Sequence, residues 1–243
     1  MIKNRSSLTL ILIFGIIITS ITVSQPHKKE VDTRFEIFIA DPKKTDIALY
    51  WKDENNRLLN TFDNLKNYIE KKGKHLIFAM NAGMFMEDYT PLGLYIQKEK
   101  IIHRLNTSTG NTNFYIQPNG VFYITTDKKP IICITSEYVH NRKIRFATQS
   151  GPMLLVNGVI NSNFKKGSAN INIRNGVGIL PDNKVVFIIS VEPVNFYDFA
   201  EHFKNQGCLN ALYLDGAISA MYSPEKKLGY FEGNFGVMIG IAE

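Results

Sequence analysis

Short apolar runs separated by turn residues dominate the chain from Leu92 onward, and they commit it to strands joined by tight connections. Residues 92–97, 101–105, 113–117, 121–125 and 131–135 are such runs, each about the length of an ordinary strand. Pro118-Asn119-Gly120 and Asp127-Lys128-Lys129-Pro130 punctuate them as hairpin turns, since glycine, asparagine and proline supply the backbone angles that turns need. Val156-Asn157-Gly158-Val159 is another hairpin signal, and residues 177–180 and 185–191 form a further pair around Pro181-Asp182-Asn183. Upstream, residues 35–40, 46–51 and 75–80 read as strands, the last buried on both faces. Two stretches carry helical spacing instead. Thr61 is a suitable N-cap for a helix bearing Phe62, Leu65, Tyr68 and Ile69 on one face. Residues 195–206 place Phe196, Phe199, Ala200 and Phe203 on one face, with Gly207 as the stop, and these aromatics read as core. Strands at 212–214 and 235–241 close the chain. The expectation is an α+β single domain with a mixed or largely antiparallel sheet and about two substantial helices.

The N-terminus carries a different signal. Lys3 and Arg5 precede an apolar run, residues 8–18, which fades through Thr19, Ser20 and Thr22 into Ser24-Gln25-Pro26. A positive start, an apolar stretch of secretory length and a small-residue exit mark an export signal. Residues 1–24 are expected to be a signal peptide or, if uncleaved, a membrane anchor through residues 8–23. That places the remainder in the periplasm or tethered to the envelope, with residues 25–34 as a polar tether and 35–243 as the domain. The net charge of +6 is spread over single and paired basic residues such as Lys43-Lys44 and Lys165-Lys166. Without a basic stripe interleaved with aromatics, nucleic acid is not an expected partner. Mild positive charge suits anionic substrates or an anionic membrane surface. Cys133 and Cys208 lack metal-site spacing, and two isolated cysteines do not make a disulfide framework.

Three polar turns carry residues that a core does not need. Asn81-Ala82-Gly83 follows the buried run 75–80, and glycine there permits close backbone approach to a ligand. Arg174-Asn175-Gly176-Val177-Gly178 sets an arginine beside two glycines, suited to a bidentate grip on phosphate or carboxylate. Asn210-Ala211-Leu212-Tyr213-Leu214-Asp215-Gly216 delivers a carboxylate to the mouth of a strand, although Asp-Gly is also a common turn pair. Glu192 ends another strand, and faces the same cleft as Asp215 if the two strands are neighbours. Gly151, in Ser150-Gly151-Pro152, shapes a tight turn that supplies backbone donors or the rim.

The order NAGMF, SGPML, RNGVG and NALYLDG resembles the phosphodiester glycosidase family, whose members include an enzyme that removes N-acetylglucosamine from a phosphodiester, and is most similar to its exported bacterial members. The resemblance spans roughly residues 35–241. It implies an α+β fold and hydrolysis of a sugar–phosphate link, with Asn81, Gly83, Arg174, Asp215 and Gly216 at the family's motif positions. Ala217 stands where the family pattern has a second glycine, and Ser219 keeps a nearby hydroxyl.

These groups suggest a division of labour. Arg174 takes the phosphate, with Asn81, Gly83, Gly151, Gly216 and Ser219 lining the substrate. Asp215 acts as nucleophile or base at the anomeric carbon, and Glu192 as a secondary acid/base or orienting group. A departing phosphate monoester needs less protonation than a sugar alcohol, so a cation can replace much of the acid's work. No cofactor is expected. Two alternatives remain: a metal-dependent phosphodiesterase with one hard cation such as calcium on Asp215, Glu192 and an asparagine, or a non-catalytic envelope protein binding glycan or phosphate headgroups.

Overall fold

The computed structural model describes residues 32–226 and 233–243, the side chain of Ala217 excepted. The proposed export segment and residues 25–31 of the tether lie outside the described residues. Thr33–Glu243 forms one compact unit. Its strands, in chain order, are β1 (Phe35–Ala40), β2 (Asp46–Tyr50), β3 (Leu76–Asn81), β4 (Tyr95–Gln97), β5 (Lys100–His103), β6 (Gly120–Thr125), β7 (Pro130–Ile134) and β8 (Ile144–Ser150). They continue with β9 (Met153–Val156), β10 (Val159–Ile160), β11 (Asn175–Ile179), β12 (Val185–Ser190), β13 (Ala211–Tyr213), β14 (Met221–Tyr222) and β15 (Met238–Ala242). The helices are α1 (Phe62–Glu70) and α2 (Phe196–Asn205). Among the described residues no helix is long and apolar enough to cross a membrane.

The strands form three antiparallel sheets, ordered β1-β12-β11-β13-β9-β10, β14-β3-β15-β2 and β5-β4-β8-β6-β7. One apolar cluster draws on all three: Phe187 and Leu212 from the first, Phe78 and Ile239 from the second, Phe122 and Phe146 from the third. The outer faces of the first two sheets are each closed by one helix. Thr61 caps α1 by accepting from the Asn64 N–H at 3.0 Å, and Leu65 and Ile69 of that helix pack beneath Ala79 and Met238. Asn195 caps α2 at 2.9 Å through the Asp198 N–H, and Phe199 and Phe203 pack against Ile188 and Tyr213. Gly178 lies in the strand expected at 177–180, and Gly176, read as part of the polar turn before it, also lies inside β11. A Cβ at Gly178 would come within 2.8 Å of the Phe203 ring, so the glycines let α2 lie close on the sheet.

Two sequence expectations need correction. Residues 113–117 do not form a strand: Asn113–Tyr115 is a turn of 3-10 helix, so Pro118-Asn119-Gly120 is no hairpin but the lead-in to β6. Its Phe114 is buried, which explains an apolar signal without a strand. The longest strand, β8, was not anticipated, although it is central in its sheet. Its polar end, Thr148-Gln149-Ser150, is buried and breaks the expected alternation. By contrast the Asn157-Gly158 turn has φ of 50° and 78°, as a tight hairpin of that type requires. Cys133 and Cys208 are both free thiols.

Tyr95 is fully buried beside Trp51, and among the described residues its hydroxyl has no hydrogen-bond partner. Burial pushes that hydroxyl well above the ordinary tyrosine range. Its folded pKa therefore exceeds the unfolded value of about 10, so its contribution to stability is complete below that pH and declines above it as the unfolded chain ionises. Tyr95→Phe removes an unpaired polar atom and this alkaline penalty together. Thermal unfolding should show stability at pH 7 unchanged or raised by up to about 1–2 kcal/mol, and a shallower loss above pH 10 than in the wild type.

Candidate active site

The three sheets meet at the strip Asn81-Ala82-Gly83, where β3 ends. Asn81 is 1% exposed, and an amide so buried must satisfy its polar atoms within the protein. Its Nδ2 donates to the carbonyl oxygen of Asp215 at 2.7 Å. Its Oδ1 accepts from Asn175 Nδ2 and from the Ala220 N–H, both at 2.8 Å. The next carbonyl, that of Ala82, accepts from the Asp215 N–H at 3.0 Å. Both backbone polar groups of Asp215 are thus fixed by one strip of β3. Gly83 then passes against β8, where a Cβ would lie 2.5 Å from the Gln149 carbonyl oxygen and collide with Thr148 Oγ1. The close approach is made to protein backbone, which locks the third sheet onto the other two.

Ser219 extends this polar knot. Its hydroxyl lies 3.2 Å from the Ile173 carbonyl and 3.3 Å from Asn175 Oδ1. Asn81→Ala would leave the Ala220 N–H, the Asp215 carbonyl and the Asn175 amide short of partners. With about 1–3 kcal/mol per orphaned group, partly recovered by water and relaxation, a loss of about 3 kcal/mol is expected in urea denaturation.

Arg174 precedes β11 and is also 1% exposed. Ser190 holds its backbone, the hydroxyl accepting from the Arg174 N–H at 2.9 Å. Nε donates to the Val194 carbonyl at 2.8 Å, and Nη2 donates to Asn170 O at 2.9 Å and to Asn170 Oδ1 at 3.1 Å. Nη1 donates to the Tyr213 hydroxyl at 3.3 Å. The guanidinium stacks on Phe196, its carbon 3.6 Å from the ring centroid. Every one of these partners is neutral. Among the described residues no carboxylate pairs with Arg174, and burial lowers its pKa while Tyr213 opposes that shift. A buried cation normally has an anionic partner; here neutral oxygens and the Phe196 face take that place.

Tyr213 joins Arg174 to the Asp215 turn. Its hydroxyl sits so close to Gly216 that a Cβ there would overlap it. Burial raises its pKa to about 12, Arg174 pulling it down and the Asp215 charge adding to the rise. At neutral pH the phenol keeps its proton, accepting from arginine on one side and able to donate on the other. Asp215 itself is 8% exposed at the end of β13.

The remaining candidates are less central. Glu192 is exposed beyond β12, and no hydrogen bond or ion pair among the described residues links it to Asp215. Strands β12 and β13 flank β11, so the two acids follow strands that end at the same end of the sheet and are separated by β11. Gly151 is buried in a cis Gly151–Pro152 turn against Asn119 and Phe114, and Pro152 O accepts from the Tyr213 N–H at 3.0 Å. Among the described residues no group of three or more His, Cys, Asp or Glu side chains is placed to hold a metal ion. Two residues of the site escaped the sequence. Asn175 was passed over as part of a glycine turn. Tyr213 looked like core, although its position two before Asp215 puts both on one strand face.

The sequence pattern of the phosphodiester glycosidase family matches residues 74–235, a span that contains Asn81, Arg174, Tyr213 and Asp215. The chain belongs to the phosphodiester glycosidase family. A relative from Escherichia coli strain K12, described as the uncharacterized protein YigE, is 36% identical over 238 residues, covering 97% of this chain and 90% of its own length. The solved catalytic domain of zebrafish N-acetylglucosamine-1-phosphodiester alpha-N-acetylglucosaminidase, auto-inhibited by its pro-peptide, superposes with a TM-score of 0.57. That match covers 86% of this chain and 83% of the other at 16% identity. A putative exported protein from Burkholderia pseudomallei also has a TM-score of 0.57, at 9% identity, over 85% of this chain and 73% of the other. At such identities the superpositions establish the shared fold. Membership of the phosphodiester glycosidase family makes the protein a hydrolase of that kind.

Proposed function

We propose that this protein is an exported hydrolase that cleaves the bond between a sugar's anomeric carbon and a phosphodiester. The observation that carries the proposal is the buried Arg174 guanidinium, surrounded by neutral acceptors and connected through the Tyr213 hydroxyl to the Asp215-Gly216 turn. A phosphate group in that turn pairs with the Arg174 charge through the Tyr213 hydroxyl. Asp215 attacks the anomeric carbon or activates the water that does. Tyr213, polarised by Arg174, donates a hydrogen bond to the phosphate oxygen as the sugar–oxygen bond breaks. Water ends as the sugar hydroxyl plus a proton, and the products are a reducing sugar and a phosphate monoester.

The remaining residues hold this arrangement in place. Asn81 and the Ala82 carbonyl fix the Asp215 backbone, Asn175 braces Asn81 and Ser219 braces Asn175, and Gly83 and Gly151 fit the strip against its neighbours. Glu192, beyond the neighbouring end of β12, serves as a secondary acid/base or orienting group. The basic start and apolar run of residues 3–18 support export.

The test is release of free reducing sugar in step with phosphate monoester from a panel of sugar 1-phosphodiesters. Absence of turnover with every sugar, alongside tight binding, would favour a glycan-binding protein instead. The two acids stand apart at this sheet end, so activity is expected to persist in EDTA. Activity lost in EDTA and restored by calcium would favour the metal-dependent phosphodiesterase.

A further inference from the structure

The third sheet ends in an edge whose apolar side chains are left open to solvent. Ile101 and Ile102 lie in β5, the outermost strand, and each is 46% exposed. Both line one open groove of about 490 Å³, together with Leu105, Tyr138, Arg104 and His140. Val139, set between two of these lining residues, is 74% exposed. Exposed hydrophobics scattered singly are ordinary, whereas several gathered around one groove with a polar rim mark an interaction surface.

A local irregularity creates the patch. Strand β5 pairs with β4 through Ile96–Ile101 and Tyr95–His103, which leaves Ile102 as an extra residue on the β5 side. Such a bulge bends an edge strand and re-aims a side chain. Consecutive residues of a regular strand point to opposite faces, yet here both isoleucines reach the same groove. The bulge and the exposed Lys98 and Lys100 also make β5 a poor template for a further strand. Strand addition by a second copy is therefore disfavoured at this edge.

The charge around the patch selects among the remaining partners. Lys98, Lys100, Arg104 and Arg142 are exposed, and among the described residues their side chains make no ion pair or hydrogen bond. Within residues 98–104 and 137–142 they face two carboxylates, Glu99 and Glu137. Apolar side chains ringed by unpaired cations match a partner with an apolar interior and an anionic skin. Lysine and arginine can lay their stems on the apolar layer and keep their charges among headgroups, and a tyrosine such as Tyr138 suits the boundary between them. The outer edge of β5 carries backbone groups that hydrocarbon would leave unsatisfied, so insertion stops at headgroup depth.

We propose that this face docks shallowly on an anionic lipid surface, with Ile101, Ile102 and Val139 entering the headgroup layer and the four cations holding its phosphates. The contact lies on a different sheet from Arg174 and Tyr213 and does not depend on the hydrolase chemistry.

Hydrogen exchange of the full chain tests this at the residues concerned, whatever residues 8–23 add to binding. The chain is mixed with phosphatidylcholine vesicles, with and without an equal part of phosphatidylglycerol. Amides of residues 99–104 and 138–142 are expected to exchange about tenfold or more slowly on the anionic vesicles, an effect that shrinks as salt is raised. Ile101→Ser/Ile102→Ser and Arg104→Gln/Arg142→Gln should each lose most of that protection. If the isoleucine variant unfolds, the arginine variant still decides, because it breaks no bond within the described chain. Equal exchange on the two kinds of vesicle, or undiminished protection in the arginine variant, overturns the inference. Protection already present without lipid also overturns it, and protection that grows with protein concentration would assign the face to a second copy.

Discussion

Arg174→Lys is expected to lower kcat/KM on a sugar 1-phosphodiester by about 100- to 1,000-fold. Lysine keeps the charge but cannot reproduce the fork that reaches Val194, both Asn170 oxygens and Tyr213 at once. The Tyr213 hydroxyl then loses its polarising donor, and the phosphate loses a fixed counter-charge. Stability will also fall, because the Val194 and Asn170 oxygens are left short of donors, at about 1–3 kcal/mol for each group that water does not reach. Tyr213→Phe separates the two effects. It spares most of the arginine's bonds and removes only the hydroxyl at Gly216. Rates measured well below each variant's unfolding temperature should still fall by about 100-fold. A purely structural Arg174–Tyr213 pair would instead lower the unfolding temperature of both variants and leave kcat near the wild-type value.

Asp215→Asn should have the larger effect on chemistry. The backbone of residue 215 is held by Asn81 Nδ2 and the Ala82 carbonyl, and those bonds do not involve the carboxylate. An amide of the same shape cannot attack the anomeric carbon or take a proton from water. A drop in kcat of about 1,000-fold or more is expected, in line with loss of an essential group at other hydrolytic sites, measured well below the variant's unfolding temperature. Full activity in this variant would remove Asp215 from the mechanism.

How far the site was legible depended on where the polar residues sat. Asp215 and Arg174 stood out because each interrupts an apolar strand pattern, and the structure brings both to one end of the six-stranded sheet. Glu192 met the same criterion, and its strand reaches the same end. Its distance from Asp215 follows from β11 lying between them, and strand order is a long-range property that local pattern does not encode. Asn81 and Gly83 drew attention as ligand-facing residues, yet their partners are Asp215, Asn175 and β8. A turn that binds ligand and a turn that binds its own protein use the same residue types, and only the fold tells them apart. Tyr213 was hidden for the opposite reason, since a tyrosine among apolar residues reads as core and its hydroxyl shows its use only beside Arg174. Strand β8 was lost because its last three residues are polar and buried, against the alternation by which strands are recognised. Both helices and the Asn157-Gly158 hairpin were legible, their caps, stops and turn residues acting within a few positions.

The central claim is that bond breaking occurs between sugar carbon and oxygen, with the phosphate as the leaving group held by Arg174 and Tyr213. Hydrolysis in ¹⁸O-labelled water, followed by mass spectrometry of both products, tests it directly. Label in the reducing sugar and none in the phosphate monoester is the predicted result, with the sugar analysed before its anomeric hydroxyl exchanges. Label in the phosphate would mean attack at phosphorus, and would contradict the account.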